Sequence, residues 1–144
     1  MIKAAGVRGS KAKTLCSAIC RKRIKVPYAA AEKLFYTRTL PDYAKQTRRI
    51  YPGIDKLPAD AQAMLLSLVY NRGSKLTGAR RKEMLAIKKH VKKQDLVAIA
   101  KEFQSMKRLW QDKGLEGLLH RRDSEARMIK KSKRRYKNSD FVYL

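Results

Sequence analysis

Few residues in this chain could do chemistry, and their spacing decides between uses. Cys16 and Cys20 lie four apart, on one face of any helix that holds them. His90 and His120 are distant from both and from each other, so no cluster has zinc-ligand spacing and no metal site is predicted. The two thiols read as small apolar residues on a buried helix face; a reactive or paired role is the alternative. Arg121, Arg122 and Glu125 lie within one helical turn, where a packed ion pair is expected. Carboxylates are scarce: 12 acids stand against 36 bases, a net charge of +24, and the first acid is Glu32. Residues 1–26 carry eight bases and no acid. Basic runs occur at Arg21-Lys22-Arg23, Arg80-Arg81-Lys82, Lys88-Lys89 and Lys130 to Lys137. Such charge predicts attraction to a polyanion: nucleic acid, an anionic membrane face or an acidic wall polymer.

The elements that must position these residues are helices. No run of alternating β-branched residues suggests a strand. Ser10 is a candidate N-cap for a first helix carrying Ala12, Leu15, Cys16, Ile19 and Cys20 on one face. Pro27 opens a second, with Tyr28, Ala31, Leu34 and Phe35 inward. Pro41 opens a third, with the stripe Leu40, Tyr43, Ala44, Thr47 and Ile50, ended by Tyr51-Pro52-Gly53. Pro58 opens a fourth that is apolar almost all round from Ala61 to Val69, the pattern of a central helix. Asn71-Arg72-Gly73 stops it, with Gly73 as a left-handed cap.

A fifth helix turns Met84, Ile87 and Val91 inward. Asp95 caps a sixth bearing Leu96, Ile99, Ala100, Phe103 and Trp110. Gly114 and Gly117 mark a loop before a seventh, from about Leu118 to Lys130. The prediction is an all-α compact bundle of about six or seven helices around a buried central helix at about 58–71. It covers residues 1–130, followed by a basic mobile tail at 131–144. The longest stretch without formal charge, Ala61 to Asn71, is too short to cross a bilayer, and the N-terminus holds no apolar signal-peptide core.

Two segments are more specific. Ser67 to Gly73 reads SLVYNRG, and Met106 to Arg127 reads MKRLWQDKGLEGLLHRRDSEAR. Together they resemble the C-terminal helical lobe of phage-type lysozymes, the muramidase family that includes pesticin-like enzymes. The matching features are Asn71 and Gly73, Trp110, Gly117-Leu118, Arg121-Arg122 and Glu125. Pro27 to Phe35, Leu40 to Tyr51 and Arg80 to Met84 also fit, so the resemblance spans roughly residues 4–130. It implies a lysozyme-like fold, bacterial peptidoglycan as target, action at the cell wall, and neither metal nor organic cofactor. Asn71, Arg72 and Gly73 become candidates for the saccharide groove, with a plain helix stop as the other reading of Asn71. Trp110, Arg121, Arg122 and Glu125 read as structural, Trp110 as a core or inter-lobe plug in preference to a sugar-stacking platform.

The same resemblance exposes a gap. Glycosidic cleavage needs one carboxylic acid to protonate the leaving oxygen and a second group to activate water or stabilise the sugar cation. In the family these are a Glu and a following Asp and Thr from an N-terminal lobe. Glu32, Asp42 and Thr47 occur in that order, but in helical surroundings, and read as surface and capping residues. The chain is therefore expected to be incomplete or inactive alone, or to need a separate N-terminal catalytic lobe as partner. The alternative is a basic nucleic-acid-binding or structural module on a lysozyme-like scaffold.

Overall fold

The computed structural model describes residues 7–21, 26–132 and 137. Among them the regular structure is helical and no strand occurs. The α-helices are α1 (Gly9–Arg21), α2 (Tyr28–Leu34), α3 (Leu40–Ile50), α4 (Ala59–Arg72), α5 (Lys82–Lys93), α6 (Leu96–Ser105) and α7 (Glu116–Lys131). This is the all-α architecture expected. None of these helices is long and apolar enough to cross a membrane. The chain divides into two compact units, Met1–Phe35 and Tyr36–Leu144. Of the tail expected at 131–144, all but residues 131, 132 and 137 lie outside the described residues.

The first unit contains α1 and α2. α1 begins at Gly9, so Ser10 sits in the first turn instead of capping it, and its carbonyl accepts from Thr14 Oγ1 at 3.2 Å. Cys16 is exposed, against the buried face expected of it, and is a free thiol. Alanine and cysteine offer little apolar area to drive such a face inward. The side chains of Ile19 and Cys20 lie outside the described residues. Pro27 precedes α2, and its carbonyl accepts from the N–H groups of Ala30 and Ala31, both at 3.1 Å. The inward face expected for α2 is not seen: no residue of Tyr28–Leu34 is buried, with Tyr28 80% and Leu34 58% exposed. Three of its seven residues are alanines, which gain little from burial.

The second unit holds the core. A π turn at Phe35–Thr39 leads into α3, whose Pro41 falls in the first turn, where no helical N–H is missed. Thr47 and Ile50 are the buried members of the expected stripe. Tyr51 is fully buried, and its hydroxyl donates to the Met84 carbonyl at 3.3 Å. Burial pushes its phenol far above the usual tyrosine range, although Arg72 and Arg81 pull the other way.

α4 contributes Ala61, Leu65, Leu68 and Val69, all without exposed surface. Their i, i+4, i+7, i+8 spacing forms one stripe, outside which Ala63 and Tyr70 stay exposed. Met84, Ile87 and Val91 of α5 face Ile99, Ala100 and Phe103 of α6 in the same core. Asp95 caps α6 as expected, its Oδ1 accepting from Ala98 N–H at 2.9 Å. α6 ends at Ser105, and a 3₁₀ turn, Met106–Leu109, brings Trp110 into place beyond it. α7 starts earlier than expected, so Gly117 is helical and not part of the loop.

α6 packs on α5 and α7, and α4 packs on α3 and α7. α7 therefore lies against both α4 and α6. Its buried residues are Arg122, Glu125, Ala126 and Ile129. These occupy the i, i+3, i+4, i+7 positions of a core stripe, and two of the four are charged. That pair is the point from which the site can be built.

Candidate functional site

Charges at core positions must be paired or they destabilise the fold by several kcal/mol. Arg122 is 2% exposed and Glu125 4% exposed. Arg122 Nη2 lies 2.7 Å from Glu125 Oε2, close in distance but without hydrogen-bond geometry. Glu125 Oε1 accepts from Ser67 Oγ at 2.9 Å and from Arg121 Nε at 3.2 Å. Arg121 Nη2 in turn donates to Ser67 Oγ at 3.0 Å. The expected ion pair thus exists and is larger than foreseen, because Ser67 on α4 joins it. Ser67 is one of two polar residues in the apolar run 61–69, with Gln62, and it is the one whose partner lies on another helix.

Arg122 is left only partly satisfied. Its Nε and Nη1 are buried and meet no hydrogen-bond acceptor among the described residues. Its guanidinium carbon lies 5.6 Å from the Phe103 ring centre and 6.0 Å from that of Trp110. The Arg72 guanidinium carbon lies 5.0 Å from the same Trp110 ring. Trp110 therefore has two guanidinium groups within cation–π range. It is half-buried against the core cluster.

A cleft of about 420 Å³ opens here, lined by Asn71, Arg72, Arg80, Arg81, Trp110, Leu118 and Arg122. Each arrives by a separate local device. Gly73 follows α4 with φ 74 and ψ 175, a region that essentially only glycine occupies. The positive φ matches expectation, though ψ lies outside the left-handed helical region. Its N–H donates to Val69 O at 2.7 Å, so α4 ends cleanly at Arg72. Arg72 Nη2 donates to the Arg80 carbonyl at 2.6 Å, tying the helix end to the 3₁₀ turn Ala79–Arg81. Asn71 remains helical, and its Nδ2 donates back to Ser67 O at 3.3 Å. The same turn is anchored by Arg108, which donates to Ala79 O at 2.8 Å and, through Nε, to Glu83 Oε1 at 2.5 Å. Glu83 is 2% exposed.

The electrostatics follow from this packing. Burial pushes the Arg72 guanidinium down to about 10; Arg81, Arg122 and Arg80 add repulsion, and Glu83 compensates only in part. Burial also holds Arg122 below the usual arginine range, with Glu125 opposing the shift and Arg121 adding to it. No carboxylate is among the residues that line the cleft.

Glu32, Asp42 and Thr47 are not among the residues that line the cleft. Glu32 is exposed in α2, and Asp42 is exposed in the first turn of α3. Thr47 is 2% exposed, and its hydroxyl donates to Tyr43 O at 2.7 Å within α3. Arg80 and Arg81 belong to a basic run that the sequence offers only as general attraction to a polyanion; the folded chain brings them to Arg72 and Arg122.

The helices of the second unit thus form a bundle with a cationic cleft between the end of α4, the turn Ala79–Arg81 and α7. The family model for phage lysozyme matches residues 6–125, and the chain belongs to that family. No curated protein and no solved structure matches it.

Proposed function

We propose that this chain engages bacterial peptidoglycan through the cleft at the end of α4, with Asn71, Arg72 and Gly73 on the saccharide side. Glycosidic cleavage then needs an acid that the described cleft residues do not supply. What carries the reading is the family match together with the cleft's composition: residues of the Asn71-Arg72-Gly73 and Arg121-Arg122 motifs meet there, without a carboxylate. Glu125 and Glu83, the buried acids nearest in sequence to those motifs, are held by arginines. The acid and its Asp/Thr companions come, in this reading, from a lobe equivalent to the family's N-terminal one. The high positive charge concentrates the protein on anionic walls.

The test is co-sedimentation with purified cell wall, run beside turbidity loss of a wall suspension. The expected result is binding without clearing, and clearing on addition of a phage-lysozyme N-terminal lobe. Folded protein that neither sediments with walls nor clears them in either arm would overturn the reading. Clearing by the chain alone that Glu32→Gln abolishes would transfer the acid's role to Glu32.

A further inference from the structure

The cleft brings four guanidinium groups together: Arg72, Arg80, Arg81 and Arg122. Like charges in one cleft repel; Glu125 stands beside Arg122 and Glu83 compensates Arg72 in part, but no carboxylate lines the cleft itself. Arg122 is buried, with two N–H groups that meet no acceptor among the described residues, and Arg72 Nε is in the same condition. Arg80 and Arg81 immediately precede α5, the end of a helix where its dipole disfavours cations. Each of these placements costs stability in the protein by itself. An anion in the cleft would offset all of them together.

We propose that this cleft is a binding site for a phosphate group, contacted by Arg72, Arg80 and Arg81 with the buried charge of Arg122 behind them. The choice of phosphate follows from charge and acceptor count. A phosphate carries close to two charges near neutral pH and offers at least three strong acceptor oxygens to donors converging from different elements. A carboxylate offers one charge and two oxygens. Guanidinium forks match phosphate geometry, and arginine, more weakly hydrated than lysine, gives up water at less cost. A volume of about 420 Å³ leaves room beside the phosphate, against Trp110 and Leu118, for the molecule that bears it. Burial first, and then the repulsion of Arg81, Arg122 and Arg80, holds the Arg72 guanidinium low, with Glu83 opposing only in part. The site does not depend on wall binding; a protein inert toward walls would still take phosphate here.

Trp110 is the sole tryptophan and lies against Arg72, so its fluorescence reports on the cleft. The experiment titrates the full chain with inorganic phosphate at constant ionic strength, chloride making up the balance. Saturation is expected. Arg72→Gln, and separately the exposed Arg80→Gln, should each weaken it about tenfold, the loss of one charge-assisted contact. Arg48→Gln, an exposed arginine paired with Asp55, should leave it unchanged and controls for net charge. Circular dichroism checks that each variant is folded, and Arg80→Gln serves if Arg72→Gln is not. Glycerol phosphate and dimethyl phosphate arms then test the charge and acceptor argument: the monoester is expected to bind more tightly, and a preference for the diester, with one charge and two free oxygens, would overturn it. An unsaturable response, acetate binding as tightly as phosphate, or unchanged affinity in both cleft variants would overturn the proposal.

Discussion

Replacing Glu125 by glutamine tests the account of the buried charges most directly. The substitution keeps the size of the side chain and an acceptor oxygen, so Ser67 Oγ retains a partner; what it removes is charge. The contact with Arg121 is worth little, because that side chain is 39% exposed and exposed pairs contribute about 0.2–1 kcal/mol. The contact with Arg122 is different. Both partners are buried, and Arg122 already has Nε and Nη1 without acceptors. Loss of its counter-charge leaves a guanidinium in the core with no carboxylate beside it. Breaking a buried pair from one side costs about 3–5 kcal/mol, against a total stability of about 5–15 kcal/mol for a domain.

Urea unfolding followed by circular dichroism should therefore show a large fall in midpoint at an unchanged slope. The double variant Arg122→Met with Glu125→Leu should recover most of that loss, since removing both charges removes both desolvation penalties. A Glu125→Gln protein within about 0.5 kcal/mol of the parent, the range of ordinary surface changes, would refute the claim that the Glu125 charge stabilises the buried Arg122 guanidinium. So would a double variant that is no more stable than the single one.

Other consequences follow from neighbouring contacts. Gly73→Ala meets no steric obstacle within 4 Å, so its cost should be pure backbone strain, about 1–3 kcal/mol in thermal or urea unfolding. Arg108→Ala strands the buried Glu83 and frees the Ala79 carbonyl; about 1–3 kcal/mol should be lost in the same assay, with Trp110 fluorescence altered as the Ala79–Arg81 turn loosens. The Tyr51 phenol is raised in the folded state, so its contribution is fully present below its unfolded value near 10 and is lost as pH rises above that. Tyr51→Phe should thus cost about 1 kcal/mol at neutral pH and less than that at pH 11, measured as the difference between the two proteins. Arg72 shifts the opposite way in the same alkaline window, and the difference between parent and variant cancels it. Finally, phosphate at about 100 times its dissociation constant should add about 2.7 kcal/mol to stability.

The fold was legible where apolar spacing was strong. The stripes of α5 and α6 and the Asp95 cap could be read from residue types, because large apolar side chains at helical spacing leave one solution; α4, apolar almost all round in sequence, buries one stripe and leaves Ala63 and Tyr70 exposed. The first two helices were misjudged for the converse reason. A short stripe in which alanine and cysteine alternate with one or two larger apolar residues has the right period but little area, and period alone does not bury it. Cys16 shows this most plainly.

The site divides along a similar line. The pairing of Arg121 and Arg122 with Glu125 was legible because it is local, confined to one turn of α7. The cleft was not, since Arg72, Arg80, Arg81 and Arg122 are drawn from α4, a 3₁₀ turn and α7 by contacts that no local pattern encodes. Net charge obscured them further: in a chain with 36 bases, an arginine that matters looks like any other. What distinguishes these four is the folding that surrounds them. Two carry buried N–H groups without acceptors, and two stand at a helix end that disfavours them. Surface lysines and arginines scattered for solubility would show neither property, since water satisfies their donors and no packing holds them in place. The informative quantity is therefore not the sum of charge but its burial. A cationic site that the protein must desolvate to build is the part of the +24 that has a specific use.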